Sequence, residues 1–292
     1  MATPVTSFGT ASGLYRLGSD EPVAFAGREV TALGPHGDGL LAIVGWKDIY
    51  RRRDAEWDLL EHSDLRLNCV TTFDGDVYAG TEDAHVVRVG SGVVSGFEKA
   101  ETRPEWFTPW GGPPDVRSFG TTPTTLYANV HVGGILASND GESWNPTIDL
   151  ASDVHEVSAP SDDLVLAATA WGLATSTDGG RSWTFTDDGL HACYARAVSL
   201  AGDVIVMSAS EGPRGRRSAL YRRSLSEGSF ERCREGLPEW FTNNINTGCL
   251  AAHGNNVFAG TEDGSVFVSR DSGTTWEQAA TGIGAVRWIV AT

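Results

Sequence analysis

The residues best suited to chemistry in this chain are arginines, histidines and single carboxylates, spread along it rather than gathered in one motif. Seven short segments each open on a polar side chain: REVTAL from Arg28, RLNCVT from Arg66, RSFGTT from Arg117, HEVSAP from His155, RAVSLA from Arg196, NTGCLA from Asn246 and RWIVAT from Arg287. Five of those seven openings are Arg, in a chain whose only lysines are Lys47 and Lys99. A guanidinium is a planar fork that matches a carboxylate or a phosphate. The set Arg28, Arg66, Arg117, His155, Arg196, Asn246 and Arg287, joined by Tyr194, is therefore expected to bind a small anionic molecule or the carboxylate of a partner protein. The structural alternative is that each Arg ties its repeat to the carbonyls or carboxylates of the next.

Other side chains allow sharper chemistries. Glu82 and Glu262 occur in twin phrases and offer an acid and a base, although only their separation would decide a glycosidase mechanism. His131 and His155, and with them His191, are the candidate metal ligands; their spacing is no diagnostic pattern, and no metal or other cofactor is favoured. Glu82, His131, His155 and Glu262 are thus the catalytic candidates, with catalysis itself unassigned. The sequence carries no Walker-type phosphate loop, no dinucleotide fingerprint and no Gly-x-Ser-x-Gly. Aromatics accompany these residues: Trp46, Trp171, and the phrase Pro-Glu-Trp-Phe-Thr at both 104–108 and 238–242. An Arg-rich insertion, Gly212 to Arg217, suits either a binding surface or a solvated loop.

The elements that must position these residues follow from an internal repeat. DVYAGTEDAHVVRV (76–89) and NVFAGTEDGSVFVS (256–269) are nearly the same phrase, a short apolar strand, a turn and an alternating strand. Sliding it along the chain yields a column at Phe8, Ala42, Ala79, Ala128, Ala167, Met207 and Ala259, with steps of 34 to 52 residues. The C-terminal AVRWIVAT matches the strand that precedes each column position elsewhere. The expectation is an all-β chain, a single seven-bladed β-propeller over 1–292, closed by N- and C-terminal strands sharing one blade (285–292 with 1–26). Six blades and a loose end are the alternative. Closure removes open sheet edges. With strands A to D running outward from the innermost, the D–A and B–C loops share one face, where ligands are sought. The candidate residues above all fall on that face.

Three further turns carry a second signature, at 138–144, 176–183 and 269–276: Ser, then Asp two residues on, then glycine, and a closing Trp. The Asp can accept from backbone N–H groups of its own turn and the Trp can plug the hairpin base. These residues resemble the Asp boxes of BNR-repeat propellers, which include sialidases, sortilin-type receptors and photosystem II assembly factors. The resemblance implies the fold across the chain and a structural role for Asp140, Asp178 and Asp271 at the C–D turns. From sialidases it would imply three arginines around a substrate carboxylate, here Arg117, Arg196 and Arg287; a matching Tyr–Glu pair is not found. From the receptors and assembly factors it implies a protein-interaction scaffold. Three functions therefore stand: an anion- or carboxylate-binding propeller, an interaction scaffold or assembly factor, and a glycoside hydrolase or metal-dependent hydrolase or lyase.

Charge narrows the partners. Asp and Glu number 38 against 22 Lys and Arg, a formal net charge of −16. Such a chain repels nucleic-acid backbones and anionic lipid. No stretch is long and apolar enough to span a bilayer. The N-terminus lacks the basic and apolar runs of a signal peptide, and Cys69, Cys193, Cys233 and Cys249 are too few and too scattered to staple it. A cytoplasmic protein with reduced thiols is expected.

Overall fold

The computed structural model describes residues 5–292. Its described residues form seven sheets of antiparallel strands with short connections, and the chain is a seven-bladed β-propeller. Six blades have four strands and open on Val30–His36, Leu67–Phe73, Val116–Thr121, Val154–Ser158, Tyr194–Ala201 and Leu250–His253. The seventh is assembled from both ends of the chain: Val286–Ala291 pairs with Thr6–Thr10, which pairs with Gly13–Arg16. Its fourth place is filled by a single bridge, Leu14 with Ala24. The termini thus share a blade as expected; residues 1–4 of the expected 1–26 segment lie outside the described residues. Reciprocal backbone bonds between Val5 and Thr292, 2.9 and 3.1 Å, close this sheet at its end.

The repeat column lies on the second strand of every blade, and all seven of its side chains are at most 2% exposed. In six of the blades it faces, across the sheet, Ile289, Val70, Phe119, Val157, Val198 and Leu250. The glycine that follows the column in the twin phrases has a packing reason. A Cβ on Gly80 would stand 2.4 Å from a methyl of Val116, and one on Gly260 would stand 2.4 Å from a methyl of Val286. The next blade's innermost strand takes up that space.

By its contacts the chain divides into two units, residues 1–31, 170–173 and 186–292 in the first, 32–169 and 174–185 in the second. The first has its own core of Phe8, Val206, Leu220, Phe258, Trp276 and Ile289 among others. In the second, a cluster about Tyr127, Ile135, Val157 and Ala167 is one of the buried centres.

The three Ser-x-Asp turns join third to fourth strands, as expected. Asp178 accepts from the Ser182 hydroxyl (2.6 Å), the Ser182 amide (2.9 Å) and the Ser176 hydroxyl (2.8 Å). Those bonds favour the charged form and hold its carboxyl down at about 2. Asp140 and Asp271 make the same bonds with their own turns. Trp183 donates to the Thr147 carbonyl (2.8 Å) and Trp276 to that of Gly273 (3.0 Å). No helix of the described residues is long and apolar enough to cross a membrane.

Candidate functional site

The innermost strands carry a recurrent β-bulge, and the bulge places the side chains that sequence periodicity singled out. Ladder pairing jumps over one residue between Val116 and Ser118, between Val154 and Glu156, and between Leu67 and Cys69. A similar break lies at Arg196–Ala197, and another brackets Arg287. An extra residue in one strand has no partner opposite and turns its side chain out of the ladder. Arg117, His155, Arg196 and Arg287 therefore share one structural position. The equivalent residue in the second blade is Asn68, and Arg66 lies two residues earlier. Aligning the segments on their opening Arg sets Arg66 against Arg117, two residues away from the register that the column partners Val70 and Phe119 define. Arg28 and Asn246 precede their strands, which begin at Val30 and Leu250.

Two residues ahead of the bulge is a second recurring position, occupied by Arg66, Asp115, Asp153, Tyr194 and Ala285. Its carbonyl accepts the amide of the residue just after the second strand, as in Asp115 with His131 (2.9 Å) and Arg66 with Glu82 (3.0 Å). The side chains pair there too. Arg66 meets Glu82 at 3.0 Å, and Asp115 meets His131 at 3.4 Å, the same contact with the charges exchanged. Arg66 also lies over the Trp46 ring, 3.8 Å from its centroid.

In the second unit these positions converge on a buried cluster. His131 Nε2 lies 3.3 Å from Asp153 Oδ1, and His155 Nε2 lies 3.8 Å from the same oxygen. The two imidazole centroids are 5.7 Å apart, and the Trp110 ring stands 5.1 Å from that of His131. Arg117 Nε donates to Asp115 at 3.0 Å. Burial opposes the charge on Asp115, but contacts with His131 and Arg117 outweigh it and hold that carboxyl below its usual range. Asp153 is lowered in the same way, by His131 and His155 against its burial. Sequence reasoning named the two histidines and missed Asp115, Asp153 and Trp110. A signal existed in the Asp-Val that immediately precedes both Arg117 and His155, at 115–116 and 153–154.

In the first unit the arginines differ in their partners. Arg287 Nε is held by Glu29 at 2.8 Å. Arg196 is held by neutral groups, the Asn246 Oδ1 at 3.2 Å and the Tyr194 hydroxyl at 3.1 Å. Arg28 lies 5.9 Å from the Phe25 ring centroid. The twin Pro-Glu-Trp-Phe-Thr phrases pack in opposite senses. In the first, Trp106 is buried against Phe97 and Phe107 is exposed. In the second, Phe241 is buried edge-on to Phe267, while Trp240 lies under Arg232 and Arg217 at 3.6 and 4.5 Å. His191 joins that second group, its Nδ1 2.6 Å from the Tyr221 hydroxyl and its ring 4.9 Å from Trp240. A cavity of about 350 Å³ lies beside it, lined by Trp240, Phe241, Asn243, Glu262, Asp263 and Phe267 among others. Of the two candidate glutamates, Glu262 is thus on a cavity wall of the first unit, and Glu82 is ion-paired in the second.

No family model and no curated protein matches the sequence. Among solved structures, the chain is similar to the WD40 β-propeller domain of Doa1 at 13% identity, with a TM-score of 0.64, covering 89% of this chain and 84% of that one. It is also similar to YCF48 bound to a D1 peptide, at 14% identity and a TM-score of 0.54, covering 95% and 86%. A GH74 xyloglucanase from Xanthomonas campestris aligns at 14% identity and a TM-score of 0.61, covering 85% of this chain and 45% of the enzyme. At such identities the likeness is one of fold.

Proposed function

We propose that this chain is a binding module that captures a small anion, or the carboxylate of a partner protein, on Arg196 with Tyr194 and Asn246. One observation carries the reading. Arg66, Arg117 and Arg287 each sit against a carboxylate, whereas the Arg196 guanidinium is oriented by a hydroxyl and an amide oxygen. Neutral partners fix the fork without cancelling its charge, so an incoming carboxylate meets an aimed and uncompensated donor. The half-buried setting strengthens that attraction relative to bulk water. The structure of YCF48 with a D1 peptide supports the view that a propeller of this kind can hold a peptide. A carboxylate presented by a protein segment suits this chemistry as well as a free metabolite does.

The test is a thermal-shift and calorimetric screen of the full chain with succinate, citrate, inorganic phosphate, and short acidic peptides whose C-termini are free or amidated. At least one carboxylate should raise Tm, with binding that weakens as salt is added. Losing a charge-assisted bond should weaken that binding by roughly tenfold or more in Arg196→Ala. Arg287→Ala, whose guanidinium is already engaged by Glu29, should bind nearly as wild type does. The proposal fails if no carboxylate stabilises the wild-type chain, or if a hit binds a folded Arg196→Ala unchanged.

A further inference from the structure

We propose that His131, Asp153 and His155 form a binding site for a first-row divalent transition-metal ion, with Asp115 orienting His131 from behind. The three ligand atoms lie within 4.8 Å of one another. An ion bound at about 2.0–2.2 Å to imidazole nitrogen and carboxylate oxygen holds its ligand atoms about 3.3 Å apart. The His131–Asp153 distance, 3.3 Å, already has that value, and the His155–Asp153 distance of 3.8 Å needs only a small rotation of a side chain. Two imidazoles and one carboxylate form a donor set suited to zinc or to the metals beside it in the series, and three protein ligands leave coordination positions open.

The surroundings of His131 suit a ligating ring. Its Nδ1 faces Asp115 at 3.4 Å and its Nε2 faces Asp153 at 3.3 Å, so both ring nitrogens look at carboxylate oxygens. A neutral imidazole has a single N–H and can satisfy one of them, leaving a lone pair against an anion on the other side. A cation between Nε2 and Asp153 removes the conflict: Nδ1–H donates to Asp115 and the Nε2 lone pair points at the ion. A carboxylate behind a ligating histidine is the usual way such a ring is held, and here Arg117 in turn steadies Asp115 at 3.0 Å. His155 is wholly buried and His131 nearly so, and Asp153, with about a quarter of its side chain exposed, turns its ligating Oδ1 inward where water does not reach it.

The experiment starts from full-length chain stripped with a chelator, which is then removed. Titration with Co2+ should develop visible absorption bands that saturate at one ion per chain, and Zn2+ should displace it. Asp153→Asn and His131→Gln, each checked for folding by circular dichroism, should weaken Co2+ binding by tenfold or more. Asp115→Asn, which touches no metal, should weaken it by roughly 10- to 100-fold through His131 alone. Should these variants fail to fold, the wild-type chain still decides: nitrogen-15 spectra of the histidine rings should show two of the seven rings changing on Zn2+ addition. Stoichiometry well below one, unchanged isotherms in the folded variants, or ring changes at His62 or His253 instead would overturn the proposal.

Discussion

Single residues in this protein are constrained chiefly by what the adjoining strand leaves room for. Gly260 sits in extended backbone where nothing in its own blade demands glycine, but Val286 occupies the space a side chain would need. Replacing it with alanine forces that valine aside, and overpacking of this kind costs about 1–3 kcal/mol. Gly260→Ala should therefore lower Tm and the denaturant midpoint. Val286→Ala placed in the same chain should restore part of the loss, since neighbouring changes do not add. If the two substitutions prove simply additive, the contact is not the reason for the glycine. The same physics explains the Ala-Gly repeated at 79–80 and 259–260, while the Thr that follows holds its turn by accepting the His85 or Ser265 amide and the Glu-Asp beyond it is exposed.

At the scale of one element, the Ser-x-Asp turns show how a hairpin is made to hold its shape. Asp178 accepts from both the hydroxyl and the amide of Ser182, and from Ser176, which keeps its folded pKa near 2. In the unfolded chain an aspartate titrates at about 3.9. The folded value is the lower one, so the carboxylate's contribution is present above about pH 4 and fades as the pH falls toward 2. Asp178→Asn should lower Tm near neutral pH and flatten its fall between about pH 4 and 2, most visibly at low salt because the turn is exposed. A wild-type and variant pair with parallel Tm-against-pH curves would show the turn to be held by something else. The bulged inner strands work by the opposite principle. Such a turn closes its polar bonds on itself, while a bulge leaves one residue outside the ladder and so frees Arg117, His155, Arg196 or Arg287 to meet side chains elsewhere in its unit.

The whole molecule depends on its two ends meeting in one blade. Val286–Ala291 pairs with Thr6–Thr10 through five residue pairs, and Val286 and Ile289 are buried in the first unit's core. Removing residues 285–292 takes the inner strand from that sheet, exposes the edge of Thr6–Thr10 and uncovers apolar surface beneath it. The truncated chain should aggregate or melt far below the full-length protein in calorimetry and size-exclusion chromatography. A truncation that melts as the whole chain does would mean that the shared blade adds nothing to stability. A chain permuted at the exposed loop near Gly228, with its old termini joined, should fold instead, because it keeps every strand and its pairing.

What the sequence alone determined is the part governed by local, repeated physics. Apolar alternation, turn residues and the buried column at Phe8, Ala42, Ala79, Ala128, Ala167, Met207 and Ala259 recur with each blade. They were enough to count seven blades, to join the termini, and to put the Ser-x-Asp turns between third and fourth strands. The tertiary structure decided which polar residues meet. Arg66 and Arg117 look alike in an ungapped alignment, yet the strand pairing sets Asn68 against Arg117 and leaves Arg66 two residues earlier, and no local pattern announces where the bulge falls. Asp115 and Asp153 were unremarkable carboxylates until folding brought them to either side of His131. Two identical Pro-Glu-Trp-Phe-Thr phrases bury opposite rings because their surroundings differ, Phe97 and Trp144 around one, Arg217, Arg232 and His191 around the other. Strand and turn preferences act between near neighbours in the chain, whereas some partners of polar side chains come from another blade, as Asp153 does for His131 and Glu29 for Arg287, and that pairing exists only in the folded protein.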